Sequence, residues 1–310
     1  MILAVLAGAV IRYTGVFHNS FTPPGQIQSQ VHVEQKNAKS KADSGTIEKH
    51  IKESQETGTE NETPEAKVSH GYAYETLSTE QQTVYDEIYR IIMTHDSKVP
   101  VSTCDEKVLE KAYRSVIADH GGIFWVSGYN YTQYTMGKKT VSIDFSPSYT
   151  VDRDERDSYQ SRIDSVVDSI LKNVDSSWGD YEKAKYVFEY LAGNIEYEMG
   201  TEQNQNIISV FLNKKTVCQG YANATQYLLS LLGIRAVVVT GTAEGDTHAW
   251  NLVQLDGAYY FIDTTWGNSS YNNGESGFGS FINYNYFGVT TAEISKTHQA
   301  DGTLLLPDCT

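Results

Sequence analysis

The sequence predicts an α+β fold, and three observations support this assignment. Apolar residues recur at helical spacing between 218 and 232, which predicts a helix. Two strand-like runs, 248–255 and 258–265, flank an Asp-Gly dipeptide, which is typical of a two-residue β-hairpin turn. Upstream, the segment 71–175 contains amphipathic helices and Tyr-rich strands, and we expect it to form a smaller α/β extension.

Helix-capping and turn residues in the sequence predict the helices and strands of this extension. Ser-Thr-Glu-Gln at 78–81 caps a first helix, and residues 105–119 form a second one that ends at Gly-Gly. Residues 123–134 and 140–149 form two strands joined near Gly137. Residues 157–174 form a further amphipathic helix, and no catalytic grouping is visible in the extension.

The helix after 217 places a cysteine at its start. Thr-Val-Cys-Gln at 216–219 has the Thr-x-x-Gln spacing of a capping box, and Gly233 supplies a stop signal. We therefore expect Cys218 in the first turn, where unpaired backbone N–H groups and the helix dipole favour thiolate over thiol. The apolar positions of this helix are Tyr221, Ala224, Leu228, Leu231 and Leu232.

The hairpin brings a histidine and a carboxylate together. With a two-residue turn, Leu255 pairs with Ala258, and His248 and Asp263 share one face as diagonal neighbours about 7 Å apart at their β-carbons. The carboxylate can then bind one imidazole nitrogen and leave the other for the thiol. A shift of one residue in register would destroy this arrangement.

Cys218, His248 and Asp263 are therefore the candidate catalytic residues, as nucleophile, general base and orienting carboxylate. Each has a simpler explanation when taken alone. A cysteine near a helix start is often a small buried hydrophobe, a single histidine is often a satisfied polar group, and an Asp before Thr-Thr can begin a turn. Their combination with the helix start and the hairpin favours catalysis.

Four motifs resemble the core of the transglutaminase-like superfamily, in its bacterial cysteine-peptidase-like branch. They are Val-Cys-Gln-Gly-Tyr-Ala at 217–222, Leu-Leu-Gly-Ile at 231–234, His-Ala-Trp-Asn at 248–251 and Phe-Ile-Asp-Thr-Thr-Trp at 261–266. The resemblance implies a papain-like core, in which a helix bearing the nucleophile Cys218 packs on an antiparallel sheet bearing the base His248 and its orienter Asp263. The superfamily includes transglutaminases, peptide N-glycanases, arylamine N-acetyltransferases and members with no demonstrated catalysis. The implied chemistry is therefore acyl transfer at a thiol rather than one substrate.

The oxyanion stabiliser is a further expectation. Transglutaminases use a Trp upstream of the nucleophile, but Trp178 precedes a helix and does not align with it. The backbone N–H of Cys218 supplies one donor. Tyr197 matches a Tyr common in this branch and is the candidate for the second donor, with a core aromatic as the alternative and Gln219 next in line. We assign the substrate cleft to Gly220, whose small size a helix start also explains, and to Tyr221, Trp250 and Trp266.

The chain divides into four segments. Residues 1–18 are apolar, too short for a confident membrane span and without a basic start, and we assign them to a signal peptide or a membrane-anchor remnant. Residues 19–70 are polar and predict a disordered linker. Residues 71–175 are the extension, and residues 176–310 are the catalytic domain. An apolar start before a polar tether predicts an extracellular protein or one anchored on the outer cell surface, with membrane contact only through the N-terminal segment.

Charge and motifs exclude several classes of partner. The formal net charge of −15 would repel nucleic acid. The sequence has no phosphate-binding Gly loop, dinucleotide fingerprint or paired-Cys metal motif, so we expect neither a cofactor nor a metal. Cys104 and Cys309 are unpaired by default, although they could pair in an exported protein.

The sequence thus predicts a secreted or cell-surface thiol-dependent acyl-transfer enzyme with a Cys-His-Asp triad. The resemblance implies that it hydrolyses peptide or isopeptide amides, with action as a transglutaminase as the other possibility. The short core, with 30 residues from Cys218 to His248 and 15 from there to Asp263, lacks the insertions of crosslinking transglutaminases and favours hydrolysis. The expected partner is a peptide or protein substrate, including cell-wall peptide. The first alternative is a non-catalytic peptide- or cell-wall-binding module, which the intact triad disfavours. The second is a peptide N-glycanase-like role, which the missing zinc-binding cysteine pairs disfavour.

Overall fold

The structure is a computed structural model that describes the backbone of Val10–His18 together with residues 69–268 and 282–310. Almost all of the predicted linker 19–70 lies outside the described residues. The described α-helices are α1 Tyr72–Glu75, α2 Thr79–Thr94, α3 Glu106–Asp119, α4 Arg153–Leu171, α5 Asp180–Asn194, α6 Cys218–Leu231, α7 Thr264–Gly267 and α8 Thr291–Ile294. The described strands are β1 Val10–His18, β2 Val99–Val101, β3 Val126–Met136, β4 Lys139–Tyr149, β5 Glu196–Tyr197, β6 Lys215–Thr216, β7 Ala236–Ala243, β8 Asp246–Leu255, β9 Ala258–Ile262, β10 Phe287–Val289 and β11 His298–Ala300.

The chain forms two compact units. The first contains Leu77–Tyr113 and Val126–Thr150 together with the N-terminal strand. Its sheet is antiparallel, with the strand order β1-β3-β4-β2. Ser78 caps α2 through a capping box with Gln81, as predicted, and the turn between β3 and β4 contains Gly137 in the left-handed region at φ 64°.

Strand β1 lies within the segment that the sequence assigns to a signal peptide or anchor. It pairs antiparallel with β3, from Val10 opposite Met136 to His18 opposite Gly128. The second half of that segment is therefore a sheet strand in this structure, while residues 1–9 lie outside the described residues. Cleavage or anchoring of the segment stays a prediction. No helix within the described residues is long and apolar enough to cross a membrane.

The second unit comprises His70–Thr76, Arg114–Trp125 and Val151–Thr310. Its main sheet is antiparallel with the strand order β10-β9-β8-β7-β11, and α6 packs against β7 and β8. This is the predicted arrangement of a cysteine-bearing helix on an antiparallel sheet, and the α+β fold class is confirmed.

The second unit begins earlier than the predicted boundary at 175–176. Helix α4 belongs to it, because its buried residues Ile163, Val167 and Ile170 face inward and the helix packs against the turn 209–213. The segment 70–76 belongs to it as well, since the Asp119 carboxylate accepts hydrogen bonds from the first N–H groups of α1. Such long-range contacts leave no local pattern in the sequence.

The hairpin of β8 and β9 has the predicted register. Leu255 pairs with Ala258, and Asn251 pairs with Ile262. Asp256 and Gly257 form the two-residue turn, with φ values of 50° and 90°. Left-handed conformations at both positions are typical of a type I′ turn, which matches the twist of the two strands. Asp263 consequently follows the last residue of β9.

Candidate active site

Cys218 is the first residue of α6. Val217 precedes it with an extended backbone and provides no side-chain cap, so the first N–H groups of the helix are not occupied by a capping side chain. The predicted Thr-Gln capping box is wrong, because Thr216 is buried in β6 and donates its hydroxyl hydrogen bond to the Asn204 carbonyl at 2.7 Å. The Cys218 side chain is partly exposed, and Cys104, Cys218 and Cys309 are all free thiols.

Two buried hydrogen bonds fix α6 against the segments that carry His248 and Asp263. The Asn251 amide on β8 donates to the Ala222 carbonyl of α6 at 3.0 Å. The hydroxyl groups of Thr225 on α6 and Thr264 on α7 are 2.9 Å apart. Because a buried polar group is costly to leave unpaired, these bonds favour a single placement of the helix on the sheet.

His248 and Asp263 form the predicted hydrogen bond. His248 Nε2 lies 2.9 Å from Asp263 Oδ2, and both side chains are buried. The Cys218 thiol lies close enough to the imidazole to contribute to the raised pKa of His248. Since Nε2 is engaged with the carboxylate, Nδ1 is the ring nitrogen left for the sulfur. The structure therefore brings the partly exposed Cys218 thiol, the His248 imidazole and the buried Asp263 carboxylate near one another, and their action as a catalytic triad stays a prediction.

Asp263 also begins helix α7. Its Oδ1 atom accepts hydrogen bonds from the backbone N–H groups of Thr265 at 2.9 Å and Trp266 at 3.2 Å. The turn-forming explanation of this Asp is therefore confirmed, and its catalytic role stays a prediction. One carboxylate oxygen holds the backbone, and the other faces the imidazole.

The electrostatics of the pair favour charge on both partners. Burial alone would lower the pKa of His248, but the interactions with the Asp263 carboxylate and with Cys218 together outweigh burial and raise this pKa to about 10. Burial would raise the pKa of Asp263, but the attraction of His248 and the hydrogen bonds from His248 and His298 lower it to about 2. The arrangement favours an imidazolium beside the Cys218 sulfur, as a thiolate–imidazolium pair requires.

His298 is a site residue that the sequence analysis missed. Its Nε2 atom lies 3.1 Å from the same Asp263 Oδ2 atom that binds His248. His298 belongs to β11, at the edge of the sheet beside β7, and lies 35 residues beyond Asp263 in the chain. No motif or spacing links it to the other three residues, so only the sheet topology reveals the contact.

Three atoms of this cluster could in principle approach one cation, since His248, Asp263 and His298 each offer a ligand atom within 4.8 Å of the others. Both imidazole nitrogens, however, lie at hydrogen-bond distances of 2.9 and 3.1 Å from a single carboxylate oxygen. Protons on the two nitrogens account for both distances. We therefore interpret the cluster as a hydrogen-bond network.

The structure corrects the predicted substrate cleft at Gly220 and Tyr221. A β-carbon at Gly220 would lie 1.8 Å from Thr216 Oγ1, so the missing side chain makes room for Thr216 and not for a substrate. Tyr221 is fully buried and donates a hydrogen bond to the Ile195 carbonyl at 2.5 Å. It also accepts one from Asn268 at 3.0 Å. Its role is to join α6 to neighbouring segments.

Trp250 and Trp266 are also buried, at 2% and 6% exposure, and do not line an open cleft. Their rings pack against the His298 ring at 4.9 and 4.8 Å between centroids. Within the described residues, neither indole N–H has a hydrogen-bond partner. The two side chains therefore exclude water around the buried imidazoles, which strengthens the electrostatic interactions there.

The two oxyanion candidates occupy different positions. Tyr197 is half-buried on β5 and pairs with Thr216, two residues before the nucleophile. The Gln219 amide donates a hydrogen bond to Asn223 one turn further along α6, at 3.0 Å. Tyr197 therefore keeps its place as the candidate second donor, and its role stays a prediction.

Comparison with known proteins supports the sequence resemblance. Residues 165–264 match the model of the transglutaminase-like superfamily, a range that contains Cys218, His248 and Asp263. The chain is 25% identical over 159 residues to kyphoscoliosis peptidase from Homo sapiens, which covers 46% of this chain and 24% of the human protein. The Mus musculus protein gives the same identity and coverage. The chain thus spans about a quarter of the length of the curated relatives it matches.

Two solved structures resemble part of the chain. A crystal structure of a TGase aligns with a TM-score of 0.33 and 17% identity, and covers 45% of this chain and 44% of its own. The periplasmic domain of TgpA from Pseudomonas aeruginosa aligns with a TM-score of 0.30 and 13% identity, and covers 50% of this chain and 75% of its own.

The charged pair gives the protein a defined pH dependence of stability. The folded pKa of His248, about 10, exceeds its ordinary value of 6.5, so its contribution is complete below pH 6.5 and is lost as the pH rises through 10. The folded pKa of Asp263, about 2, is below 3.8, so its contribution is complete above pH 3.8 and is lost as the pH falls through 2. We expect the difference in unfolding free energy between wild type and His248→Gln to be largest from about pH 4 to 6.5 and to shrink toward pH 10.

Urea denaturation of both proteins across this range measures the difference. His120→Gln, which changes a histidine outside the site, serves as the matched control and should show no such trend. A difference that is constant from pH 5 to pH 10 would contradict the charged pair.

Proposed function

We propose that this protein is a thiol-dependent acyl-transfer enzyme that hydrolyses peptide or isopeptide amide bonds through Cys218, His248 and Asp263. The observation that carries the proposal is the series of these three side chains, in which His248 is hydrogen-bonded to the buried Asp263 carboxylate and the partly exposed Cys218 thiol lies close enough to contribute to the pKa of His248. This series supplies a nucleophile, a base and an orienting group in the required order.

In the proposed reaction, the proton of the Cys218 thiol already lies on His248 Nδ1, and the thiolate sulfur bonds to the substrate carbonyl carbon while the carbonyl oxygen takes up the negative charge. The tetrahedral intermediate collapses when the C–N bond breaks and the imidazolium gives its proton to the leaving amine. A water molecule then gives a proton to His248 and adds its oxygen to the thioester carbon, and the C–S bond breaks to release the carboxylic acid and the Cys218 thiolate. The thiolate and the imidazolium are thereby restored, so the enzyme ends as it began.

The oxyanion of the tetrahedral intermediate requires nearby donors. The backbone N–H of Cys218 lies at the start of α6, where no side chain caps the helix, and the helix dipole adds positive potential there. Tyr197 is proposed as the second donor, because β5 runs beside the strand that leads directly into α6. Gln219 is the alternative if its amide leaves Asn223.

Hydrolysis of amides is supported by two further observations. The curated relatives bear the name peptidase, although the chain spans only about a quarter of their length. The short segments between the three residues also leave little room for the insertions of crosslinking transglutaminases. A binding module that captures peptide on cleft aromatics is disfavoured, because Tyr221, Trp250 and Trp266 are buried.

We also propose that the enzyme acts outside the cell, on surface or cell-wall peptide. The support is the composition of the chain, with an apolar start at 1–18 followed by the polar segment 19–70. The negative net charge of −15 is compatible with peptide substrates and unfavourable for nucleic acid.

Thiol labelling tests the nucleophile. We expect iodoacetamide to alkylate Cys218 at pH 6 to 7 faster than an ordinary thiol, and His248→Ala to slow this reaction by about 10-fold or more, because the imidazolium partner is lost. Peptide mass mapping identifies the labelled cysteine. Cys104→Ser is the matched control. Desolvation raises the pKa of the Cys104 thiol, so its removal should leave the labelling at pH 6 to 7 unchanged.

A peptide library assayed with wild type and Cys218→Ala then tests amide hydrolysis. Cleavage by wild type alone supports the enzyme. A folded wild type whose Cys218 is unreactive and which cleaves nothing would point to the binding module.

The role of Tyr197 is tested by removing its hydroxyl. If it stabilises the oxyanion, Tyr197→Phe should lower kcat by about 10- to 1,000-fold with KM nearly unchanged, because the lost hydrogen bond forms mainly in the transition state. Tyr221→Phe is the contrasting variant, since the Tyr221 hydroxyl binds the Ile195 carbonyl and should affect stability rather than kcat. Normal turnover of Tyr197→Phe would mean that the second oxyanion donor is Gln219 or a backbone N–H and not Tyr197.

A further inference from the structure

We propose that His298 is a positioning residue that holds the Asp263 carboxylate in the orientation required by His248. The site then consists of four residues, with His298 added to the three proposed catalytic ones. This inference deepens the proposed function and rests on it. The observation behind it is that His298 Nε2 and His248 Nε2 bind the same carboxylate oxygen, at 3.1 and 2.9 Å.

The carboxylate of Asp263 is fully occupied. Oδ2 receives the two imidazole nitrogens, and Oδ1 receives the backbone N–H groups of Thr265 and Trp266. An ionised carboxylate accepts about four hydrogen bonds, so no acceptor position is left for water. Without His298, Oδ2 would have only His248 as a partner, and the carboxylate could tilt or take up a water molecule.

His298 is itself rigidly held. Its side chain has 0% exposure, and its Nδ1 atom lies 2.8 Å from the Thr297 hydroxyl. The rings of Trp250, Trp266 and Tyr286 surround it, with centroids 4.9, 4.8 and 6.0 Å away. A buried side chain with both ring nitrogens engaged is suited to fixing a neighbour.

A glycine in β7 allows the close approach of β11 that this contact requires. Strand β11 pairs with β7, and at Gly241 an added β-carbon would lie 2.1 Å from the Gln299 carbonyl oxygen. The glycine therefore lets the backbone next to His298 approach closely. A larger residue at this position would displace the strand that carries the second imidazole.

The hydrogen bonds of His298 fit one tautomer. With a proton on Nε2, the ring donates to the Asp263 carboxylate and accepts at Nδ1 from the Thr297 hydroxyl, which satisfies both contacts. The titratable groups that face His248 are Cys218 from α6, Asp263 after β9 and His298 from β11. Tyr286 faces His298 from the turn 284–286.

The test follows the titration of His248 by NMR in full-length protein with labelled histidine, in a Cys218→Ala background that needs no thiol chemistry. We expect His298→Leu, which keeps an apolar side chain but removes the donor, to lower the titration midpoint of His248 by about 1 pH unit. His298→Gln, whose amide can donate from a similar position, should restore most of the midpoint. His120→Leu is the control outside the site and should leave it unchanged.

The same variants are then placed in the protein with Cys218 intact. His298→Leu should slow alkylation of Cys218 at pH 6 to 7 by about 5-fold or more and lower kcat more than it changes KM, whereas His298→Gln should recover both. If His298→Leu fails to fold by circular dichroism, Thr297→Val provides the second variant, because it keeps the ring and removes its hydroxyl partner. It should change the midpoint and the alkylation rate in the same direction, by less.

An unchanged or raised His248 midpoint in His298→Leu, or equal values for the Leu and Gln variants, would overturn the positioning role. These outcomes are independent of the proposed function. A wild type without amide hydrolysis would defeat the enzyme proposal while the NMR result still decided the role of His298.

Discussion

The arrangement of this site depends on one buried negative charge, the carboxylate of Asp263. Asp263 has no exposed surface, and an unpaired carboxylate in such a position would be strongly unfavourable. The protein satisfies it with two backbone N–H groups and two imidazoles. These four hydrogen bonds stabilise the buried Asp263 carboxylate, and they also fix its orientation toward His248. The stability of the fold and the proposed function therefore depend on the same hydrogen bonds.

The other parts of the site depend on where this charge lies. The imidazole of His248 is buried beside it and favours the protonated form, and the partly exposed Cys218 is the solvent-facing end of the series. The helix that bears the thiol is attached to the sheet through Asn251 and to α7 through Thr225, each by a buried hydrogen bond. Trp250 and Trp266 keep water from the imidazoles, which strengthens the charge interactions in a medium of low polarity.

Much of this core could be predicted from local sequence. The Asp-Gly turn sets the hairpin register, and that register brings His248 and Asp263 together. The placement of Cys218 in the first turn of α6 is confirmed, but the capping box that predicted it is wrong, because Thr216 is bonded to the Asn204 carbonyl.

What could not be predicted depends on distant parts of the chain. His298 reaches Asp263 because β11 joins the far edge of the sheet, and Tyr221 is buried because its hydroxyl meets the Ile195 carbonyl. The placement of α4 in the unit that holds the site has the same origin, because its helical pattern is local and its packing partner is not. Local periodicity determines which residues share a face, whereas tertiary contacts determine what that face meets.

The central claim is that Cys218 forms a covalent acyl intermediate because Asp263 holds His248 as its base. It is tested most directly by mixing the protein with p-nitrophenyl acetate, quenching rapidly and measuring the acyl group on Cys218 by intact-protein and peptide mass spectrometry. The account predicts a burst of nitrophenolate with a single acetyl group on Cys218, and an acylation rate about 10-fold or more lower in Asp263→Asn. Acylation that is absent from Cys218, or equally fast in Asp263→Asn, would contradict it.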